Sequence, residues 1–188
     1  MADPTPRMTD GGTGLRRATP SDVWTIRDWR NQPHVRANMY SDQEIGRDEH
    51  QAWYEKALTD PGRQIWIIMS EGSDVGVVIL SDINPETRSC TWAFYIGESG
   101  LTGRGLGSAV ERLVLAHVFD TLDLETLHCE VLEFNTPVIG LHRKFGFEPT
   151  GRIPNRVERD GKPVDAICLE LTKARWATPS NSTSGHAP

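Results

Sequence analysis

The chain has 188 residues, enough for one domain with its own core and no need of disulfide staples. Its 20 Lys and Arg against 26 Asp and Glu leave a formal charge of −6, which argues against non-specific nucleic-acid binding. No apolar run is long enough to span a bilayer and no signal-peptide core opens the chain, so a cytoplasmic protein without membrane contact is expected.

Taken in chain order, the first segment, MADPTPRMTDGGTG, is poor in core-forming residues, as is ATPSNSTSGHAP at the other end. This composition predicts disordered extensions over 1–14 and 177–188 around a folded domain of 15–176. LRRATPSDVWTIRDWRNQP reads as a short strand and then a helix. Thr19 is its N-cap, Pro20 its first helical residue and Asp22 the closing member of a capping box, and Pro33 ends it. RDEHQAWYEKALTD is a second helix that sets His50, Trp53 and Ala57 on one face. QIWIIMS, DVGVVILSDI and SCTWAFYIG are strands of an antiparallel meander, rich in β-branched and aromatic residues.

The stretch GLTGRGLGSAVERLVLAHVF, residues 100–119, then packs glycines into a turn and switches to apolar residues at helical spacing. Glycines opening a helix make an anion seat: backbone N–H groups can approach the ligand closely, and the helix dipole favours negative charge. A phosphate loop ending in Gly-Lys-Ser/Thr is absent, and the dinucleotide fingerprint lacks its third glycine, because Val110 stands there. TLHCEVLE is a further strand and NTPVIGLHRKFGF a helix starting near Asn135. EPTGRIPNRVERDGKPVDAICLELT gives two strands joined at Asp160-Gly161 by a type I′ turn. The result is an α/β (α+β) fold in the order βααβββαβαββ, a mixed sheet of about seven strands flanked by about four helices. Cys90, Cys129 and Cys168 lie apart in strands and read as free thiols, not a metal site.

This order, with the Gly-rich turn between the fourth strand and the third helix, resembles the GNAT superfamily of acetyl-CoA-dependent N-acetyltransferases over nearly the whole folded chain. The family's turn, Q/R-x-x-G-x-G/A, is matched by Thr102-Gly103-Arg104-Gly105-Leu106-Gly107 except at its first position, where Arg104 can restore the positive charge. The resemblance implies that acetyl-CoA is bound by Leu101, Thr102, Gly103, Arg104, Gly105, Leu106, Gly107 and Ser108, by Asn135, and by backbone near Ile96. A second family element, N-x-x-A-x-x-L-Y-x-K-x-G-F, fits at Asn135, Leu141, Lys144, Gly146 and Phe147, with Val138 for the alanine and His142 for the tyrosine.

A narrower resemblance runs through Trp29, Arg30, Asn31, Val35, Arg36, Met39, Tyr40, Ile45, His50 and Trp53. It is similar to the N-acetyltransferases of pseudaminic acid synthesis, which acetylate the 4-amine of a UDP-linked 4-amino-4,6-dideoxy sugar. On that likeness Arg30, Arg36 and His50 would meet the phosphates and base, and Met39, Tyr40 and Trp53 would form an apolar wall. Ordinary core packing is the competing reading for Met39, Tyr40 and Trp53, and a solvated helix end for Arg30.

Acyl transfer from a thioester to an amine needs a neutral amine, a polarised carbonyl and a proton for the departing thiolate. The resemblance implies that Glu130 is the general base, acting through a water, with Glu133 as local competitor on the other face of an unbroken strand. A backbone N–H around Phe94 to Ile96 would polarise the carbonyl, and no metal is needed. An unperturbed histidine at the tyrosine position would be only about a quarter charged at pH 7. Either a neighbouring carboxylate holds its proton, or neutral His142 donates its N–H to the sulfur, or the residue only packs.

The expected activity is therefore acetylation of a nucleotide-linked amino-deoxy sugar, a small-molecule substrate, by a monomer or homodimer that uses acetyl-CoA. Another amine, such as a protein N-terminus or an aminoglycoside, and a non-catalytic acetyl-CoA-binding regulatory domain are the rivals.

Overall fold

The computed structural model of the chain describes residues 7–101 and 105–177. Eight strands form one sheet: β1 (Arg7–Asp10), β2 (Thr13–Arg17), β3 (Gln64–Ser70), β4 (Ser73–Asn84), β5 (Ser89–Ile96), β6 (Thr126–Leu132), β7 (Glu148–Arg159) and β8 (Lys162–Thr172). Their spatial order is β1-β2-β3-β4-β5-β6-β8-β7, and the one parallel neighbour pair among the described residues is β5–β6. The helices are α1 (Val23–Arg30), α2 (Pro33–Arg36), α3 (Arg47–Thr59), α4 (Leu106–Ala116), α5 (Thr136–Lys144) and α6 (Lys173–Trp176). Among the described residues no helix is long and apolar enough to cross a membrane.

The fold class is as expected, with additions at both ends. Arg7–Asp10 pairs with β2 from Asp10↔Thr13 to Arg7↔Arg16, so the extension expected to be disordered to residue 14 contributes an edge strand. Gly11, with φ +59°, turns that hairpin, and pairing to β2 satisfies a backbone that its own side chains could not bury. Pro33 ends no long helix; it opens the short α2, where its missing N–H is harmless at the first position.

The sheet is covered on both faces, which explains its long apolar strands. Along β3, Ile65 and Ile67 join Val77, Ile26, Trp29, Tyr54 and Ala57 in the layer under α1 and α3. The alternate residues Trp66 and Ile68 join Trp92, Val110, Val114, Ile139 and Phe147 in the layer under α4 and α5. This two-residue alternation decides which side chains of β5 and β6 face which layer.

The entry to α1 follows the sequence reading. Asp22 accepts the Thr19 N–H at 2.7 Å and the Arg16 guanidinium fork at 2.9 and 2.7 Å. Burial opposes the Asp22 charge, but the Arg16 fork and the Thr19 donors together hold the carboxyl below its ordinary value. At the far end, Asp160 (φ +52°) and Gly161 (φ +71°) are both left-handed, as a type I′ turn between β7 and β8 requires.

Candidate active site

The site begins where the sheet parts. β5 and β6 pair at Ser89↔Thr126, Cys90↔Leu127 and Thr91↔His128, and no later pairing joins them among the described residues, although β5 runs on to Ile96 and β6 to Leu132. The divergence leaves backbone donors and acceptors of β5 facing an opening instead of a neighbouring strand. Alternation then divides the side chains. Trp92, Phe94 and Cys129 pack in the layer of α4 and α5, while Tyr95 packs with α1 and α3 and Glu130 is exposed on β6. Glu130 lies two residues beyond the last pairing, at the mouth of the opening.

On the side of α1 and α3, the segment between α2 and α3 is strapped across this mouth. Tyr40 donates its hydroxyl to Oε2 of Glu130, and the Arg156 guanidinium lies 4.1 Å over the Tyr40 ring with Nε 4.0 Å from the same carboxylate. Burial first, and then the Glu130 contact, push the Tyr40 hydroxyl up to about 12, so it stays a donor at any physiological pH. Arg159 donates to the Met39 carbonyl, and Arg30 to the Ser41 carbonyl at 2.8 Å. Asn31 holds both backbone groups of Ile45, at 2.9 and 3.1 Å. The expected residues Arg30, Met39 and Tyr40 thus meet on one segment, of which Tyr40 touches Glu130. Arg156 and Arg159 complete the lining. They reach it from the β7–β8 hairpin, which no local pattern ties to residues more than a hundred positions earlier.

His50 and Trp53 are not part of this cluster. His50 is buried, its Nε2 lies 2.9 Å from the Val23 carbonyl, and its ring packs against Trp53 and Tyr54. Both rings face α1 and the sheet, Trp53 half-buried against that layer and His50 bonded to the Val23 carbonyl of α1. Glu133 is likewise occupied elsewhere, accepting from Arg152 at 2.7 Å and from the Asp165 N–H at 3.1 Å.

The opposite end of the opening meets the glycine turn. Thr102, Gly103 and Arg104 lie outside the described residues. Gly105 is the N-cap of α4 with φ +76°, a conformation that side chains rarely adopt, and no side chain caps the helix. The first-turn N–H groups of α4, from Leu106 to Ser108, therefore point outward as donors, which fits an anionic ligand. A Cβ on Gly107 would stand 3.0 Å from the Leu141 side chain, so the turn is held tightly against α5. Leu101 and Leu106 anchor the turn in the core. Asn135 is the N-cap of α5, its carbonyl accepting from Val138 and Ile139 at 3.1 Å. The Ile96 carbonyl lies 3.1 Å from Nε2 of His34, so its backbone already has a partner at the lip of the opening. The free N–H groups from Leu106 to Ser108 suit the oxygens of a phosphate group.

His142 lies on α5, 3% exposed, one residue from the Leu141 contact. Its ring packs at 5.3 Å from Trp92, 6.4 Å from Phe94 and 5.1 Å from Phe147. Its Nδ1 is 2.9 Å from Oε1 of Glu111, itself wholly buried on α4. A carboxylate thus neighbours the imidazole, inside a layer where the ring also packs on three aromatic side chains. Glu111 was legible as a single acidic residue on the apolar face that Val110 and Val114 define, a face where a charge is rarely left without a purpose.

The acetyltransferase (GNAT) domain family matches residues 13–148. The chain is 26% identical over 160 residues to the L-amino acid N-acetyltransferase AaaT of Escherichia coli K12, covering 85% of this chain and 97% of that protein. It is 26% identical over 114 residues to the spermidine N(1)-acetyltransferase of the same strain, 61% of each chain. Among solved structures, the spermidine N-acetyltransferase from Vibrio cholerae in complex with CoA and spermine superposes with a TM-score of 0.82 at 19% identity, over 90% of this chain and all of that one.

Proposed function

The chain belongs to the acetyltransferase (GNAT) domain family, an acyltransferase that moves an acetyl group from acetyl-CoA to an amine, and from that premise we propose that its acceptor is the amine of a nucleotide-linked amino-deoxy sugar. The observation that carries this reading is the charge around Glu130. Arg30, Arg156 and Arg159 meet the segment that holds Met39 and Tyr40, and Arg36 is near enough to Arg30 for their charges to repel. Against them stand Asp42, 3.9 Å from Arg159, and Glu130 itself. In a chain of net charge −6 this local excess of cations suits phosphates and repels a polyamine.

In the proposed reaction the acceptor amine attacks the thioester carbonyl carbon directly in a ternary complex, forming the C–N bond as the C–S bond breaks. Glu130, through a water, takes the proton from nitrogen, and His142 gives one to sulfur. Acetyl-CoA supplies the activated acetyl group; the protein's part is to orient the amine, hold the phosphates at the α4 turn and move these two protons. Glu130 and His142 belong to opposite layers of the sheet, which suits a base and an acid acting on the two sides of one reacting carbon.

A second reading, acetylation of a free amino acid, is favoured by the nearly full-length likeness to AaaT, and the same arginines would then take a carboxylate. The deciding experiment measures acetyl-CoA-dependent thiol release with UDP-, dTDP- and GDP-linked amino sugars, free L-amino acids and spermidine. The highest kcat/KM is expected for a nucleotide sugar. A preference for amino acids transfers the assignment to the second reading, and a preference for spermidine overturns both.

A further inference from the structure

Glu111 is a carboxyl wholly shielded from the surface, placed in an apolar layer where a hydrophobic residue of the same size would cost less. Its Oε1 meets Nδ1 of His142 at 2.9 Å, and its Oε2 is buried without a hydrogen-bond partner. Such a half-satisfied buried pair is weak evidence for stability, since isosteric apolar replacements are often neutral or better. Its geometry is suited to another purpose. With Nδ1 engaged, the remaining ring nitrogen, Nε2, has no partner among the described residues. The ring that carries it rests on Trp92 and Phe94, the residues of β5 just past the last β5–β6 pairing.

Resting on the reading of His142 as proton donor, we propose that Glu111 is a positioning residue for acetyl transfer, holding the Nδ1–H of His142 so that Nε2–H is the atom that protonates the leaving sulfur. The balance is simple. The Nε2–H bond breaks as the S–H bond forms, and the imidazole is left neutral with its Nδ1–H still donated to Glu111. The proton released from the amine passes to Glu130 and solvent, and solvent reloads Nε2 for the next cycle. The 2.9 Å contact between Glu111 Oε1 and Nδ1 fixes the ring's orientation and leaves Nε2 as the nitrogen free to face the sulfur. Among the described residues, the other rings packed against it are uncharged. Trp92, Phe94 and Phe147 have no charge to give, and the nearby Cys129 thiol is pushed up by burial and then by Glu111, so it stays protonated.

The test compares wild type with Glu111→Gln, His142→Phe and His142→Tyr. In Glu111→Gln, kcat is expected to fall about tenfold near pH 8.5 and less than about threefold near pH 6.5, with both KM values kept. The same Glu111→Gln change made in the His142→Tyr background is expected to leave the kcat–pH profile of that variant unmoved. Nitrogen NMR of the unliganded protein labelled in histidine reads the pair without turnover, and wild-type His142 is expected to keep its proton on Nδ1 throughout about pH 6–9. That spectrum decides the matter even if Glu111→Gln fails to fold: a neutral His142 protonated at Nε2 alone overturns the proposal. An unshifted profile in a folded Glu111→Gln enzyme overturns it too, while loss of kcat in His142→Phe would leave the proton-donor reading standing. Wild-type kcat in His142→Phe overturns that reading and this proposal together.

Discussion

The Tyr40 hydroxyl donates to the Glu130 carboxylate, tying the segment between α2 and α3 to the mouth of the parted sheet. The contact joins residues 90 positions apart and sets the proposed base beside the wall that would hold the acceptor. It also predicts a graded loss. Glu130→Gln should lower kcat by about 10²–10⁴, the usual worth of general-base catalysis. Tyr40→Phe removes only the hydrogen bond and should raise the acceptor KM by about three- to thirtyfold with the acetyl-CoA KM within about twofold. Steady-state kinetics with each substrate varied in turn check both. Wild-type kcat in Glu130→Gln would move the base elsewhere, and wild-type kinetics in Tyr40→Phe would reduce the contact to a structural strap.

Gly105 tests the cofactor seat. A β-branched residue there must adopt φ +76° or unwind the first turn of α4, although open space surrounds the missing Cβ. Acetyl-CoA at about 100 times its Kd should stabilise the wild type by about 2.7 kcal/mol, a rise of about 5–11 °C in Tm. Gly105→Val should lose that rise while keeping most of its unliganded Tm, because the strain is confined to an exposed turn. Thermal denaturation with and without acetyl-CoA gives the answer, and a full ligand shift in Gly105→Val would remove the turn from the cofactor site.

What the sequence disclosed depended on distance along the chain. Periodicity and turn residues located β3 to β8 and the three longest helices because those signals are local: alternation in Ile65 to Ile68, glycines before α4, Asp160-Gly161 between β7 and β8. The pairing of β1 was hidden because Arg7–Asp10 has little apolar character and is ordered by its neighbour strand. Arg30 and Tyr40 were legible in the site through their shared segment. His50 and Trp53 were grouped with them by helical spacing, which describes a buried face and a ligand-binding face equally well, and the structure turns their face onto α1 and the sheet. Arg156 and Arg159 were invisible, being brought to Tyr40 and Met39 only by tertiary folding, and the partner of His142 lay on a different helix.

Asp22 predicts how acid unfolds the protein. Its folded-state carboxyl is held below the ordinary value by Arg16 and Thr19 against the opposing effect of burial. A depressed carboxyl gives stability that is fully present above the unfolded value, near 3.8, and is lost as pH falls through the folded one. Asp22→Asn should therefore lower Tm by about 2–6 °C at pH 7 and by progressively less as pH falls below the unfolded value, where the wild type loses the same contribution. Equal losses throughout that range would show that Asp22 acts through packing and not through its charge.

The guanidinium cluster makes the sharpest demand on the proposed acceptor. Arg156 stacks on Tyr40 with its guanidinium part exposed, and Arg159 donates to the Met39 carbonyl and, at 2.9 Å, to the Glu158 carbonyl, each terminal nitrogen keeping a second N–H. If phosphates bind there, Arg156→Ala and Arg159→Ala should each raise the acceptor KM by about ten- to a hundredfold, the range expected for a charged hydrogen bond. Their acetyl-CoA KM should stay within about twofold, and kcat should change little, because the phosphates lie away from the reacting carbon. Ionic strength supplies an independent reading. Raising salt from about 0.05 to 0.5 M should lower wild-type kcat/KM for an anionic acceptor and lower it less in Arg156→Ala, since screening weakens what the variant has already lost. Arg156→Lys keeps the charge but not the flat fork over Tyr40, so it should recover the salt dependence and only part of the affinity. If salt instead raises kcat/KM, or both alanine variants keep the parental acceptor KM, the arginines serve only to hold the strap and the acceptor is not an anion.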